Sequence, residues 1–479
     1  MSSNQSFQLP DLLGIMSGLE LRTNRHCRFA TDASEKWFVE ASKASQPQTL
    51  PDVGALPSMT TMRLPLLSDA ELKYLRSTKL GLLCALCFPM CDAPQLRAMT
   101  DLVTLLFYSS IRHSRVQGQA SSEDSESPVE RPNTYLKGVL GSLEEQGLLR
   151  QLKQPLLKSA LAKASRSWTE RCAQSIQALL DAQAGAPPPI PPPPSSSLRL
   201  KQGESKSNAL EDYTEWRREL HGTSMILDFA ELLEIFEFPQ AQPPLCYKIA
   251  RLKRAFLDVL AFSMDVASYQ LTQARHSANP SIRADLNLVS ILQTQKRLSL
   301  QGAMNLAGNM IREAYAEFRA AEKDILDFLE PPPQETLLPT AKMRLTASMT
   351  NLGASLSSSA STFFGWLASA SEKNGGQTSP RNLAVPNLGN APSISVSHSY
   401  SPPPSPSPSP SPSSSTYSLA LESNTTATTT KRYIEALKDC LVGTLHWAYE
   451  TELFFGKKGS EVRAFGWVFV DQVPVIPEE

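Results

Sequence analysis

The sequence lacks an excess of charge of either sign. Its 479 residues include 46 lysines and arginines and 47 aspartates and glutamates, and the formal net charge is −1. Proteins that bind nucleic acids usually carry a basic stripe or patch on one face. We therefore expect neither DNA nor RNA as a partner.

The sequence also lacks the segments that send a chain to or across a membrane. The N-terminus, MSSNQSFQLPDLLG, has no basic segment followed by a long apolar one, so we expect no signal peptide. The longest dense apolar run, LGLLCALCFPM at residues 80–90, is too short to span a bilayer. Without a secretory signal, the seven cysteines are expected to be reduced thiols of a cytoplasmic protein.

Several motifs that carry chemistry are missing. There is no glycine-rich phosphate loop, no Gly-x-Ser-x-Gly elbow and no His-Glu-x-x-His pair, and the six histidines are scattered. The segment CALCFPMC contains Cys84, Cys87 and Cys91. A Cys-x-x-Cys pair can bind zinc or exchange thiols, but no second pair follows and the run is apolar. We interpret these cysteines as small buried thiols.

Proline and serine are concentrated in a few stretches, which predicts the domain organisation. We expect a polar loop at residues 117–133, an extended polyproline loop at 183–207 and a disordered Pro/Ser-rich insertion at 331–429, because such runs bury too little apolar surface to offset chain entropy. The predicted α-domain is then residues 1–330, completed by a C-terminal helix and tail at 430–479.

Between these stretches the pattern is helical. Ser68 and Glu71 form a plausible capping box. Over residues 299–329 apolar or small residues recur at the spacing of a buried helical face, namely Leu300, Met304, Ala307, Ile311, Ala314, Phe318, Ala321, Ile325 and Phe328, and Pro331 should end that helix. Only GWVFVDQV near the C-terminus has β character. The predicted fold class is therefore an all-α helical bundle.

Five stretches, taken together, resemble a known family: FQLPDLLGIMSGLELRTNRH, LGLLCALCFPMCDAPQLRAMTDLVTLLFYSS, YTEWRRELHG, LDVLAFSMDVASYQLTQAR and YIEALKDCLVGTLHWAYETELFFGKKGSEVR. In order and spacing they resemble the class I sesquiterpene synthases of basidiomycete fungi. The resemblance implies a helical bundle around an apolar pocket. In active members, magnesium ions at the pocket mouth bind the diphosphate of farnesyl diphosphate and neutralise it as it leaves.

The first metal motif of that family, Asp-Asp-x-x-Asp or a close variant, is degenerate in this sequence. Ser110 and Ile111 stand where the resemblance places the aspartate pair, and Ser114 stands at the third acidic position. Arg112 adds a positive charge nearby. No anionic magnesium ligand is left in this motif.

The second motif, Asn-Asp-x-x-Ser-x-x-x-Glu, is altered as well. In its register the chain has Met264, Asp265, Ser268 and Thr272, so Asp265 and Ser268 are the residual positions. Methionine is a poor ligand for a hard cation such as magnesium. We therefore expect that these positions do not form a metal site and that the chain has no catalytic residue.

The diphosphate contacts that the resemblance implies are partly lost. Leu453 and Phe454 occupy the place of the family's Arg-Tyr pair. Arg217 and Arg218 match its paired arginines, and we favour Arg218 as a remnant diphosphate-binding residue. The other interpretation of this pair is a solvated helix face or a structural ion pair.

Residues 341–369 could add a weak membrane contact. Their large apolar residues, which include Phe363, Phe364 and Trp366, alternate with serine, threonine and alanine, a composition that can lie in a membrane interface. The other interpretation is a low-complexity linker with scattered apolar residues.

Together these patterns favour a pseudoenzyme of terpenoid metabolism, a sesquiterpene synthase-like protein without magnesium-dependent cyclase activity and without a cofactor. Its ligand would be an isoprenoid or farnesyl diphosphate, and any protein partners stay open. The alternative is a divergent terpene cyclase that acts as a carbon–oxygen lyase on farnesyl diphosphate. It would use Arg217, Arg218 and Asp265 with a single Mg²⁺ ion, or acid-assisted ionisation without a metal.

Overall fold

A computed structural model describes residues 6–44, 67–119, 155–184, 209–239, 242–278, 287–330 and 415–469. Within them, side chains are not described for residues 109–119 and 415–424 and at a few further positions. The described elements all belong to one compact unit. The predictions for residues 341–369 and for most of the 331–429 insertion lie outside the described residues.

The described elements are almost entirely helical, as predicted. In chain order the helices are α1 (Leu12–Ile15), α2 (Cys27–Ala44), α3 (Asp69–Thr78), α4 (Leu80–Cys87), α5 (Ala93–Gln119), α6 (Pro155–Lys163), α7 (Arg166–Ala184), α8 (Ala209–Glu219), α9 (Thr223–Leu232), α10 (Leu245–Ala278), α11 (Leu288–Lys296), α12 (Leu300–Leu329), α13 (Ser415–Glu450), α14 (Glu452–Phe455) and α15 (Gly459–Phe465). A short 3₁₀ helix, Gly456–Lys458, joins the last two.

Two predicted helix ends are confirmed. The Ser68 hydroxyl accepts from the backbone N–H of Glu71 at 3.2 Å, and the Glu71 carboxylate accepts from the N–H of Ser68 at 3.0 Å. This is the reciprocal capping box that the sequence predicts at the start of α3. Helix α12 ends at Leu329, before Pro331, because proline cannot continue a helix.

The long helices α10 and α12 have the most extensive contact of any two described helices, and α13 packs along α4. The buried face of α12 follows the predicted spacing from Met304 to Ile325. The prediction is wrong for Phe328, which is 44% exposed. After Ile325 the buried face advances by four residues rather than three, so the half-buried Leu329 takes that place.

A two-stranded antiparallel sheet ties the two ends of the described chain together. Strand β2, Trp467–Phe469, lies in the segment predicted to have β character, and β1, Ser6–Gln8, has no sequence signal that predicted it. Phe7 pairs with Val468 in this sheet, and both side chains are buried. The Phe7 ring meets Tyr269 of α10 edge to face at a centroid distance of 5.5 Å.

Three predicted boundaries differ from the structure. Helix α5 continues to Gln119, inside the predicted 117–133 loop, and α7 continues to Ala184. Helix α13 begins at Ser415, within the range assigned to the insertion. The prediction extended the proline- and serine-rich insertion to residue 429, but proline is the residue that breaks helices, and the last proline before α13 is Pro412. Among the described helices, none is long and apolar enough to cross a membrane.

Candidate functional site

Three residues of the second metal motif share one face of α10. Met264, Ser268 and Thr272 are each half-buried, and their four-residue spacing stacks them along the helix. The Thr272 hydroxyl donates to the backbone carbonyl of Ser268 at 3.1 Å. This face presents a thioether and two hydroxyl groups and no charge.

Asp265 points away from that face into the protein. Its carboxylate accepts hydrogen bonds from the Tyr213 hydroxyl at 2.7 Å, from Arg217 Nε at 2.6 Å and from the backbone N–H of Leu288 at 3.1 Å. The side chain is completely buried. Because a carboxylate with three donors in a buried site is already satisfied, Asp265 joins α8, α10 and α11 together.

Two members of this cluster, Arg217 and Tyr213, have raised pKa values that keep them protonated. Burial is the largest single influence and by itself would lower the pKa of Arg217, but the combined charge and hydrogen-bond effects of Asp265 and Tyr213 outweigh it, and the net shift is upward. Burial and then the charge of Asp265 raise the pKa of Tyr213 well above its usual range. Tyr213 therefore stays protonated and remains a donor to Asp265.

Arg218 is also paired. Its Nε donates to Asp258 Oδ1 at 2.5 Å and a terminal nitrogen donates to Asp258 Oδ2 at 3.1 Å. Such a two-point contact is the strong form of an arginine–carboxylate pair. Both side chains are mostly buried, so the two arginines predicted as diphosphate ligands each bind a carboxylate of α10. Their predicted role as a diphosphate remnant stays a prediction.

Apolar packing surrounds the positions of the lost Arg-Tyr pair. Leu453 and Phe454 lie in α14 and are buried. The Phe454 ring meets Trp447 edge to face at 5.7 Å, and Trp447 Nε1 donates to the carbonyl of Thr78 at 2.7 Å. These residues attach α14 to α13 and α3, which is a packing role.

The first metal motif lies in α5. Ser110, Ile111 and Ser114 belong to this helix, but their side chains lie outside those that the structure describes. The last carboxylate before them, Asp101, is buried and accepts from Arg97 Nε at 2.8 Å. Asp101 is thus satisfied within its own helix.

The cysteines of CALCFPMC are buried free thiols, as interpreted from the sequence. Burial raises the pKa of Cys84 well above its usual value and that of Cys91 to about 12. Cys440 of α13 donates its thiol to the carbonyl of Cys87 at 3.6 Å. Cys87 and Cys440 therefore pack between α4 and α13, and the buried thiols of Cys84 and Cys91 have little tendency to ionise.

The donors near the second motif do not fit magnesium. This cation prefers carboxylates, phosphate oxygens and water, whereas the described face offers Met264, Ser268 and Thr272. Within the described part of the chain, no group of three or more histidine, cysteine, aspartate or glutamate side chains could hold a metal ion.

Sequence reasoning missed the partners of these residues, namely Tyr213, Asp258, Asn287 and Leu288. One signal was present. Asp258 and Asp265 are seven residues apart in α10, which places them on the same side of the helix two turns apart. No local sequence pattern predicts that the backbone N–H of Leu288 contacts Asp265. The same holds for the side-chain amide of Asn287, which donates to the Asp265 backbone carbonyl at 2.7 Å.

Comparison with known proteins gives one family match. The profile described as "Terpene synthase family 2, C-terminal metal binding" matches residues 201–317, which include the whole of α8 to α11 and part of α12. This segment contains the pairs Arg217–Asp265 and Arg218–Asp258.

Related proteins come from basidiomycete fungi. The chain is 21% identical to sesquiterpene synthase Agr1 of Cyclocybe aegerita over 466 residues, which cover 95% of this chain and 90% of that protein. It is 20% identical to sesquiterpene synthase 1 of Postia placenta over 331 residues, 66% of this chain and 79% of the other.

Among solved structures, hedycaryol synthase in complex with nerolidol is 16% identical, with a TM-score of 0.43, and the match covers 68% of this chain and 89% of that one. Germacradien-4-ol synthase from Streptomyces citricolor is 18% identical with a TM-score of 0.43, covering 70% of this chain and 91% of the other.

Proposed function

We propose that this chain, which belongs to the fungal class I sesquiterpene synthase family, is a pseudoenzyme that keeps the family's helical framework without magnesium-dependent cyclase activity. Its role would be to bind an isoprenoid rather than to ionise a prenyl diphosphate. The observation that carries this proposal is the state of Asp265, whose carboxylate is saturated by internal donors.

Magnesium-dependent cyclisation needs a carboxylate that is free to hold a metal ion. Breaking an allylic carbon–oxygen bond leaves a carbocation and a highly charged diphosphate, and the leaving group must be neutralised. Magnesium performs this role only where carboxylates hold it. Releasing Asp265 for a metal would leave Arg217 as an uncompensated buried charge, which costs several kcal/mol. A single magnesium ion on Asp265 is therefore unfavourable.

Arg217 and Arg218 can replace metal ions only in part as ligands of a diphosphate. An incoming diphosphate would have to displace Asp258 from Arg218, and the displaced carboxylate would remain close to the ligand. Like charges in a poorly hydrated site repel strongly. We expect diphosphate to bind weakly, whereas a neutral isoprenoid would meet the uncharged face of Met264, Ser268 and Thr272 without this repulsion.

One observation favours the second candidate, a divergent cyclase acting as a carbon–oxygen lyase on farnesyl diphosphate. The Arg218 side chain retains 12% exposure, so it is not sealed from a ligand as Arg217 is. In that case Arg218 would exchange Asp258 for the diphosphate, and the metal would be held by the diphosphate more than by the protein.

Product analysis separates the two candidates. We expect purified full-length protein to form no volatile terpene above a boiled control from farnesyl or geranyl diphosphate, with magnesium, manganese or chelator, because Asp265, the carboxylate left in the second motif, is held by internal donors and a metal would lack its ligand. Magnesium-dependent products that disappear in Arg218→Ala and persist in Arg254→Ala would overturn the proposal. Arg254 is a matched control, since it is exposed and lies one turn before Asp258 on α10.

A further inference from the structure

A cavity of about 330 Å³ lies at the other end of α10 from the metal-motif face. It is lined by residues of α7, of the segment between α9 and α10, and of the first turns of α10. Ile249, which lines it, precedes Ser268 by 19 residues, a separation of about 28 Å along an α-helix. The cavity is therefore separate from the candidate site, and its volume is at the lower end of the range for small-molecule sites.

The charged residues that line the cavity are both cations, Arg171 and Lys253. The carboxylates that pair with Arg171, Asp228 and Glu231, do not line it. Lys253 has no salt bridge to another described residue. Burial raises the pKa of Glu219 and the charge of Lys253 partly offsets that rise, and Glu219 does not line the cavity. Asp228 and Glu231 already neutralise Arg171, so Lys253 is the lining cation without a salt-bridge partner among the described residues.

The Arg171 wall is held in place before any ligand binds. Arg171 Nε donates to Asp228 Oδ1 at 3.1 Å, and Asp228 Oδ2 also accepts from the Ser175 hydroxyl at 2.6 Å. The guanidinium lies 4.6 Å above the centre of the Phe238 ring, a cation–π contact. A wall that does not have to reorganise favours binding.

The remaining lining residues divide into polar and apolar sets. Gln242 and Cys246 stand where α10 begins, and the first turn of a helix carries partial positive charge that attracts anions. Phe238 and Ile249 supply an apolar surface. The cavity therefore offers positive charge and polar donors beside a patch that an alkyl or aryl group could cover.

From this arrangement we propose that the cavity is a second binding site, for a small amphipathic anion such as a medium-chain carboxylate. The carboxylate binds beside Lys253 and the first turn of α10, and the apolar body lies over Phe238 and Ile249. Neither the cyclase lineage nor the isoprenoid role requires this site.

Calorimetry of the full chain with decanoate, and with decanol as the neutral probe, tests the proposal. We expect decanoate to bind at least about tenfold more tightly than decanol, and Lys253→Gln to weaken decanoate binding by about tenfold. Arg254→Gln is the matched control, because it removes the same charge from an exposed neighbour that does not line the cavity; it should leave the affinity within about twofold.

A second variant tests the location. Ala250 lines the cavity and is exposed, so Ala250→Trp should fill the cavity at little cost to stability and abolish binding, with melting followed by circular dichroism to confirm folding. The proposal is overturned if decanoate does not bind at about 1 mM, if decanol binds as tightly, or if Lys253→Gln behaves as Arg254→Gln does.

Discussion

Replacing Asp265 with alanine is expected to destabilise the protein by about 3–5 kcal/mol, because removal of one partner leaves the other charge of a buried pair uncompensated. Arg217 would lose its carboxylate, and the Tyr213 hydroxyl and the Leu288 N–H would lose their acceptor. Three helices meet at this point, so the loss should appear in the free energy of unfolding. Urea unfolding followed by far-ultraviolet circular dichroism measures it.

The matched control is Asp324→Ala. Asp324 pairs with Arg251 at 2.6 Å, but both side chains are close to half exposed, and such pairs contribute about 1 kcal/mol or less. A double variant, Arg217→Met with Asp265→Leu, should recover part of the stability, because it removes both buried charges. Equal destabilisation by Asp265→Ala and Asp324→Ala would show that Asp265 has no special structural role.

Replacing Gly443 with alanine should destabilise the protein by about 1–3 kcal/mol, the cost of overpacking a well-packed contact. Gly443 lies where α13 crosses α4. A Cβ atom there would come within 2.6 Å of the carbonyl carbon and oxygen of Leu86 and within 2.9 Å of the backbone nitrogen of Cys87. Because these are backbone atoms, one helix must move away from the other.

Gly18→Ala is the control for this change, since a Cβ atom at Gly18 would meet no other atom within 4 Å; we expect an effect within about 0.5 kcal/mol. Thermal melting of both variants makes the comparison. If Gly443→Ala melts as the unmodified protein does, α4 and α13 are not in the close contact that the buried thiols of Cys87 and Cys440 indicate.

Local sequence signals predicted the helices well. The Ser68 capping box, the proline after Leu329 and the periodic face of α12 are each encoded locally in the sequence, and each is confirmed apart from Phe328 on that face. The predicted start of α13 was wrong because it was taken from the composition of the preceding segment. The position of the last helix-breaking proline would have been the better guide. The strand Ser6–Gln8 was missed because its partner lies at the other end of the sequence.

The sequence indicated which residues form the candidate site, but it did not predict which residues they contact. The resemblance indicated which residues to examine, and it could not show that Asp265 turns towards Arg217 while Met264, Ser268 and Thr272 turn elsewhere. That difference is one residue step around α10, about 100°, and tertiary packing decides which side is buried. The pairing of Arg218 with Asp258 likewise depends on how α8 lies against α10.

We propose that this protein does not use magnesium to hold a diphosphate. Calorimetry of the unmodified chain with the thiolo analogue of farnesyl diphosphate, in which sulfur replaces the oxygen that joins carbon to phosphorus, tests it most directly. With magnesium in place of chelator, the account predicts an affinity that changes by less than about threefold. A tightening of about 100-fold or more on addition of magnesium would contradict it.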